Sequence, residues 1–137
     1  MTDAAITLNY YSHQLNPVGY PHWFAYAAGA TGFTSVAGSD YRYNIIGSSI
    51  SVRFYAEGTS NATTVTFIIP VKTTHYENGI SIGNSDAGSG VTTVGRVAFG
   101  AASATVNCYK DGYLGAWTNS GNKAVNTVTP FVKFSGI

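Results

Sequence analysis

The sequence contains few charged residues. Only 9% of its 137 residues are Asp, Glu, Lys or Arg, against roughly 25% in an average soluble domain. The seven basic residues are scattered along the chain, so they form no cationic patch of the kind that binds nucleic-acid phosphates. A surface with so little charge must consist largely of Ser, Thr, Asn, Gly and Tyr. That composition favours packing against identical subunits or contact with neutral polar groups such as sugars.

Cysteine, long apolar runs and a secretion signal are also scarce or missing. The single cysteine, Cys108, excludes an internal disulfide framework, and we predict that it is a small buried strand residue. No apolar run approaches the roughly 20 residues of a membrane span, so membrane insertion is not expected. The first residues lack the basic and apolar regions of a signal peptide. Two interpretations stay open: the protein is made in the cytoplasm and stays in the cell until release, or the chain is a piece of a longer one.

Motifs for catalysis or metal binding are missing as well. Most of the carboxylates fall in or beside predicted turns, where Asp is favoured for its turn chemistry, although a fortuitous pair at glycosidase spacing stays open. The three histidines show no metal-ligand spacing. The Gly-rich segment at 83–90 lacks a Lys-Ser/Thr ending and is predicted to be a flexible loop rather than a phosphate cradle. We therefore predict a protein that is not an enzyme and needs no cofactor.

Clean alternation of apolar and polar residues is what the chain does have, most clearly in residues 41–70. Ile50, Val52 and Phe54 share one face of an extended strand, and Ser49, Ser51, Arg53 and Tyr55 share the other. The pattern repeats at Val65, Phe67 and Ile69, after a polar segment at 57–63, and ends at Pro70. We interpret the two runs as an antiparallel hairpin with one buried face and one face that meets water or a partner.

The remainder of the chain supports an all-β fold. About eight to ten short strands, separated by turn signals, predict an antiparallel β-sandwich of a single domain. Residues 1–38 are expected to form an irregular attachment segment with the first strands, and residues 39–137 the β-sandwich head. Asn78-Gly79 predicts a hairpin turn, and Pro130 splits the last strand. The predicted core is Ile45, Ile50, Val52, Phe54, Val65, Phe67, Ile69, Val97, Phe99, Val106, Trp117, Val128 and Val132.

Aromatic residues in predicted loops are the one positive sign of binding. Aromatic rings stack on sugar faces while their polar edges donate and accept hydrogen bonds, yet the same rings also pack at subunit interfaces. With two turn residues they form the candidate receptor or glycan contacts: Tyr20, Trp23, Tyr76, Asn78, Asp111 and Tyr113.

A resemblance to a known family rests on two stretches. The first is the pattern within residues 41–54, followed by 58–61 and 65–70; the second is 109–112 and 116–123. Together they resemble the C-terminal head domains of bacteriophage tail fibres and related virion structural proteins, over about residues 33–134. The resemblance implies a jelly-roll sandwich, similar to the tumour necrosis factor and complement C1q heads, that assembles as a homotrimer.

The resemblance also implies a function. We expect a virion protein, located in a tail fibre or another surface appendage, that contacts other virion proteins and attaches to a host cell-surface glycan or protein. Two alternatives stay open. One is a structural capsid-fibre, decoration or tail-adaptor role without receptor binding. The other is a carbohydrate-binding module of a glycan-degrading enzyme.

Overall fold

The computed structural model describes residues 23–134, and these residues form strands and connecting segments without a helix. The all-β prediction is confirmed. The strands are β1 (Phe24–Ala25), β2 (Phe33–Ile46), β3 (Ser49–Ser60), β4 (Val65–Thr73), β5 (Glu77–Ser81), β6 (Ser85–Asp86), β7 (Ser89–Gly90), β8 (Gly95–Phe99), β9 (Ser103–Tyr109), β10 (Asn122–Val128) and β11 (Val132–Lys133).

All strand pairs are antiparallel, and eight strands follow one path in the order β1-β2-β3-β10-β5-β8-β9-β4. Off this path, β11 pairs with β3, β6 pairs with β10, and β7 pairs with β6. We call β1, β2, β3 and the start of β10 the front sheet, and β5, β8, β9 and β4 the back sheet. In the back sheet, β5, β8 and β9 succeed one another and β4 lies beside β9, which is Greek-key order. The continuous sheet curls so that its two halves face each other across one core, as in a β-sandwich.

Strand β10 passes from one sheet to the other. Residues 122–126 pair with β3, and Thr127 and the residue after it pair with β5. Threonine hydroxyls then replace the missing backbone contacts to β3, because Thr127 Oγ1 accepts a hydrogen bond from Phe54 N and Thr129 Oγ1 accepts one from Val52 N, both at 3.0 Å. After Pro130 the chain returns to β3 as β11. The predicted division of the last strand at Pro130 is thus confirmed.

The core lies between the two sheets. The rings of Phe54 (β3) and Phe67 (β4) stack across it, with centroids 4.2 Å apart, and Tyr41 stacks on the other side of Phe54. The predicted core is confirmed at eleven positions and Ile45 is partly buried, while the side chain of Val128 lies outside the described residues. The buried predicted residues are Ile50, Val52, Phe54, Val65, Phe67, Ile69, Val97, Phe99, Val106, Trp117 and Val132.

The predicted hairpin of residues 41–70 is wrong in its pairing. Both runs are strands, but β3 pairs with β2, β10 and β11, and β4 pairs with β9 in the opposite sheet. Alternation defines which face of a strand is buried, but it does not name the neighbouring strand. The hairpin partner of β3 is β2, through a two-residue turn in which Gly47 adopts φ 59°, a backbone conformation that glycine takes without strain.

Two further local predictions differ from the structure. Asn78 and Gly79 lie inside β5 rather than in a turn, because β5 pairs with both β8 and β10. The segment at 83–90, expected as a loop, contains the short β6–β7 hairpin. Strand β2 begins at Phe33 and pairs with β3 across the predicted boundary at residues 38 and 39. Pro70 lies within β4, which is the last strand of the sheet path, as expected for an edge position.

Charge divides unevenly between the outer faces of the two sheets. The front face carries Arg53, Glu57 and the ion pair of Asp40 with Arg42. The alternation of β3 predicts this face, with Ser49, Ser51, Arg53 and Tyr55, as the one that meets water or a partner. The β4–β9 side of the back face is poor in charge, since its outward residues include Thr66, Ile68, Pro70, Thr105 and Asn107, with Lys72 near the end of β4.

One lysine is buried on the inner side of β10. Lys123 is 1% exposed, and its Nζ donates a hydrogen bond to the carbonyl of Ala62 at 2.9 Å. Nζ also lies 5.2 Å from the ring centre of Phe33 and 5.9 Å from that of Trp117. Burial lowers the pKa of Lys123 from 10.5 to about 8, against the opposing influence of the Asp86 charge.

Candidate functional site

The connection between β9 and β10 forms a loop whose shape is held by hydrogen bonds. Asp111 Oδ1 accepts bonds from the backbone N–H groups of Tyr113 and Gly115, each at 2.8 Å, and Lys110 N donates to the Gly115 carbonyl at 3.0 Å. The bonds from Tyr113 and Gly115 lower the pKa of Asp111. A carboxylate that accepts two backbone N–H groups of its own loop favours one turn geometry for that loop. We call residues 110–116 the display loop.

The base of the display loop is fastened to Asp86 in β6. This carboxylate is 8% exposed and accepts hydrogen bonds from Lys110 Nζ (2.9 Å), Thr118 N (3.0 Å) and Thr118 Oγ1 (2.9 Å). Burial would raise the pKa of Asp86, but the bonds from Lys110 and Thr118 outweigh it and lower the pKa. Nearby, buried Trp117 donates from Nε1 to the Cys108 carbonyl at 2.9 Å. Lys110 at the start of the loop and Thr118 just after its end both bind Asp86, so the two ends of the loop are held in place.

The tip of the display loop presents two large side chains to solvent. Tyr113 is 75% exposed and Leu114 is 52% exposed. Since the backbone around them is already hydrogen-bonded, these side chains lose little backbone freedom when they contact a ligand. Two depressions lie beside the loop, one bordered by Gly112 and the other by Leu114.

The first depression, which we call the Arg96 groove, is an open groove of about 430 Å³. Its lining comes from β5, from β8 and the residue before it, and from the display loop: Asn78, Gly79, Ile80, Val94, Gly95, Arg96 and Gly112. Arg96 Nε donates to Asn78 Oδ1 at 2.9 Å, and Nη1 donates to the Tyr113 carbonyl at 3.3 Å. The guanidinium carbon lies 5.5 Å from the ring centre of Tyr109. Three contacts thus orient one cation in the groove.

Arg96 has no carboxylate partner among residues 23–134. The two ion pairs of this region are Arg42 with Asp40, at 2.7 Å, and Lys110 with Asp86, at 2.9 Å. Both partners of Arg96 are neutral oxygen acceptors, so its positive charge remains uncompensated. An oriented and unpaired guanidinium in a groove is suited to binding an anionic or strongly polar ligand group.

The second depression is smaller, at about 180 Å³, and is lined by the ends of β4 and β9 and by the display loop: Thr63, Thr64, Val65, Asn107, Cys108, Tyr109, Leu114 and Ala116. Hydroxyl, amide and apolar groups share its walls. The buried Cys108 thiol has a raised pKa because of burial, so this cysteine is not poised as a nucleophile.

The structure brings together three of the six predicted contact residues. Asn78, Asp111 and Tyr113 surround Arg96, the first and third through direct hydrogen bonds and Asp111 through the loop that it folds. Tyr76 is 81% exposed and precedes β5 by one residue.

The other two predicted residues are elsewhere. Trp23 belongs with the front sheet, where the Arg53 guanidinium covers its ring at 4.8 Å. Tyr20 lies outside the described residues. Sequence reasoning missed Arg96, which we had treated as one of several scattered bases, although its position on the polar face of an alternating strand was a usable signal. It also missed Leu114 and the anchoring role of Asp86, which depend on contacts distant in sequence.

Comparisons with protein-family models, with curated protein sequences and with solved structures found no significant match for this chain. Within residues 23–134, no three His, Cys, Asp or Glu side chains are grouped so that they could hold a metal ion. The same residues contain no helix of the length and apolar character that crossing a membrane requires.

Proposed function

We propose that this chain is a non-enzymatic attachment head of a bacteriophage tail fibre or related virion appendage, which binds a glycan or protein on the host cell surface. The observation that carries the proposal is the display loop. It holds Tyr113 and Leu114 exposed beside a groove that contains an oriented cation. Exposed aromatic rings next to convergent polar groups are typical of saccharide and peptide recognition sites. The all-β fold agrees with the family resemblance in residues 33–134.

The head is proposed to act as a homotrimer. The back face at β4 and β9 supports this, because Ile68 is 50% exposed there among uncharged neighbours such as Thr105 and Asn107. Interface cores are depleted of charge, and three copies would direct three weak binding sites at one cell surface. The Arg96 groove lies at the β5–β8 side of the same sheet, so the β4–β9 side can pack against a neighbour while the groove stays open.

Light scattering after size-exclusion chromatography tests the assembly. The wild-type particle should have a mass of about 43 kDa, three times the chain mass of 14.4 kDa. Ile68→Glu should reduce the mass to that of one chain, because it buries a charge in the interface. Ile46→Glu is the matched control, since Ile46 is 52% exposed at the tip of the front sheet. A wild-type monomer at micromolar concentration would refute the trimer.

Binding to whole cells tests attachment. Fluorescent wild-type protein should label a susceptible host, and Tyr113→Ala should reduce the labelling at least about tenfold, since aromatic anchors dominate binding energy. Phe131→Ala removes another exposed ring, in the β10–β11 connection, and controls for the loss of aromatic surface. Trimers that label no bacterial surface would instead favour the structural capsid-fibre or adaptor role. Release of new reducing ends from host polysaccharide would favour the glycan-degrading alternative.

A further inference from the structure

The hydrogen bonds of Arg96 determine which part of its guanidinium faces the groove. An arginine has five N–H donors. Nε uses its one donor on Asn78, and Nη1 uses one of its two on the Tyr113 carbonyl. Among the described residues, both donors of Nη2 and the second donor of Nη1 have no partner. Three donors of a fixed cation are therefore available to a ligand.

The remaining walls of the groove limit what the ligand can be. Ile80 is 45% exposed and Val94 is 50% exposed, and both contribute apolar surface beside the guanidinium. No Asp or Glu lines the groove, and the nearby carboxylate of Asp111 is engaged by the backbone N–H groups of its own loop. The site thus combines a planar, positively charged fork with apolar surface and an exposed tyrosine at the rim.

We propose that the Arg96 groove binds the carboxylate of an acidic saccharide, such as a uronic or sialic acid residue. The planar guanidinium matches a carboxylate in two parallel hydrogen bonds. Ile80, Val94 and the Tyr113 ring supply surface for the apolar face of the sugar ring. A neutral saccharide would leave the cation unpaired on binding, and this loss makes the groove selective for the acidic sugar. The inference rests on the proposed function, because it names the ligand class of the same site.

The test compares acidic and neutral probes by titration calorimetry. The acidic probes are tri-galacturonic acid and sialyllactose, and their neutral counterparts are carboxyl-reduced trigalacturonate and lactose. Wild-type protein should bind at least one acidic probe about tenfold more tightly than its neutral counterpart. Arg96→Gln should remove that preference, and Arg96→Lys should restore only part of it because an ammonium cannot form the paired contact.

Two controls separate this proposal from simpler causes. Lys72→Gln removes an exposed positive charge from β4 and should leave the preference unchanged, which distinguishes a specific contact from net charge. Inorganic phosphate is a competitor, and displacement of the acidic sugar by phosphate at equal concentration would indicate a general anion site instead of a carboxylate site and would overturn the assignment.

The outcomes also separate failure of this inference from failure of the proposed function. Equal binding of acidic and neutral probes, equal affinity of wild-type and Arg96→Gln protein, or no binding of either acidic probe would refute the carboxylate site. If wild-type trimers still label host cells, attachment stands and its ligand lies elsewhere. If they label none while the acidic probe binds, the carboxylate site stands and attachment fails.

Discussion

The buried lysine gives a prediction whose size follows from the structure. Lys123 has a folded-state pKa of about 8 against an ordinary value of 10.5, a difference that corresponds to roughly 3 kcal/mol. The perturbation is Lys123→Met, which keeps an unbranched side chain that is one atom shorter and removes the charge. The substitution also removes the hydrogen bond to the Ala62 carbonyl, so the pH dependence of stability is more informative than its value at one pH.

The sign follows from proton linkage. Between pH 8 and 10.5 the unfolded chain holds the Lys123 proton more firmly than the folded chain does, so the free energy of unfolding rises with pH. The cost of burying the charge is fully present below pH 8 and is relieved above it. From pH 7 to pH 9, this group alone should increase the stability by about 1.3 kcal/mol.

The assay is urea unfolding at pH 7, 8 and 9, followed by tryptophan fluorescence because Trp117 is buried. The stability of wild type minus that of Lys123→Met should increase by about 1.3 kcal/mol across this range. Groups common to both proteins, such as Cys108 and Tyr26, cancel in the difference. Lys72→Met controls for the loss of one exposed positive charge. A difference that stays constant from pH 7 to 9 would refute the assignment of an uncompensated buried cation.

Three other predictions concern the groove and its supports. Asp86→Asn should cost roughly 1–3 kcal/mol at pH 7. In wild type the lowered pKa of Asp86 contributes stability that is present above the ordinary pKa of 3.8 and is lost as the pH falls through the pKa of the folded protein. The substitution should therefore reduce the loss of stability on the acid side of the urea-unfolding profile. An unchanged profile would contradict the anchoring role. Gly95→Ala should cost about 1–3 kcal/mol in thermal unfolding, since a Cβ there would lie 2.6 Å from the Tyr109 carbonyl, whereas Gly90→Ala, with open space around it, should change stability by no more than about 0.5 kcal/mol. Cys108 should resist a thiol reagent in buffer and react fully in urea; rapid labelling of the folded protein would show that the core between β8 and β9 opens.

The distribution of charge over the outer faces of the front and back sheets cannot be predicted from the pattern within a single strand. Alternation in residues 49–55 correctly separates an inner from an outer face of β3. Besides Ser49, Ser51 and Tyr55, β3 contributes the charged residues Arg53 and Glu57 to its outer face. The neighbouring strand β2 adds Asp40 and Arg42 to the same surface, and no pattern within β3 contains that information. The charge-poor surface comes from β4 and β9, which are about 40 residues apart in sequence.

Only part of the candidate site could be predicted from the sequence, because some of its residues come together through strand pairing. Asp111 and Tyr113 belong to one loop, and their proximity follows from a local turn that the sequence already signals. Asn78 was selected as a turn residue, although it is a strand residue whose amide oxygen orients Arg96. The role of Arg96 depends on the pairing of β5 with β8 and of β8 with β9, because these pairings bring Asn78 and Tyr109 to it.

The class of secondary structure, the inward face of each main strand and most of the core could be predicted from the sequence, because these depend on the period of two between neighbouring side chains. The sequence also located the break at Pro130, since proline acts through local backbone geometry. Three features became visible only in the folded chain: β3 and β4 face each other instead of pairing, β10 pairs in both sheets, and Lys123 is buried. These features depend on which distant strands bury their apolar faces together and on which polar groups remain to be hydrogen-bonded, a balance that is reached only in the assembled sandwich.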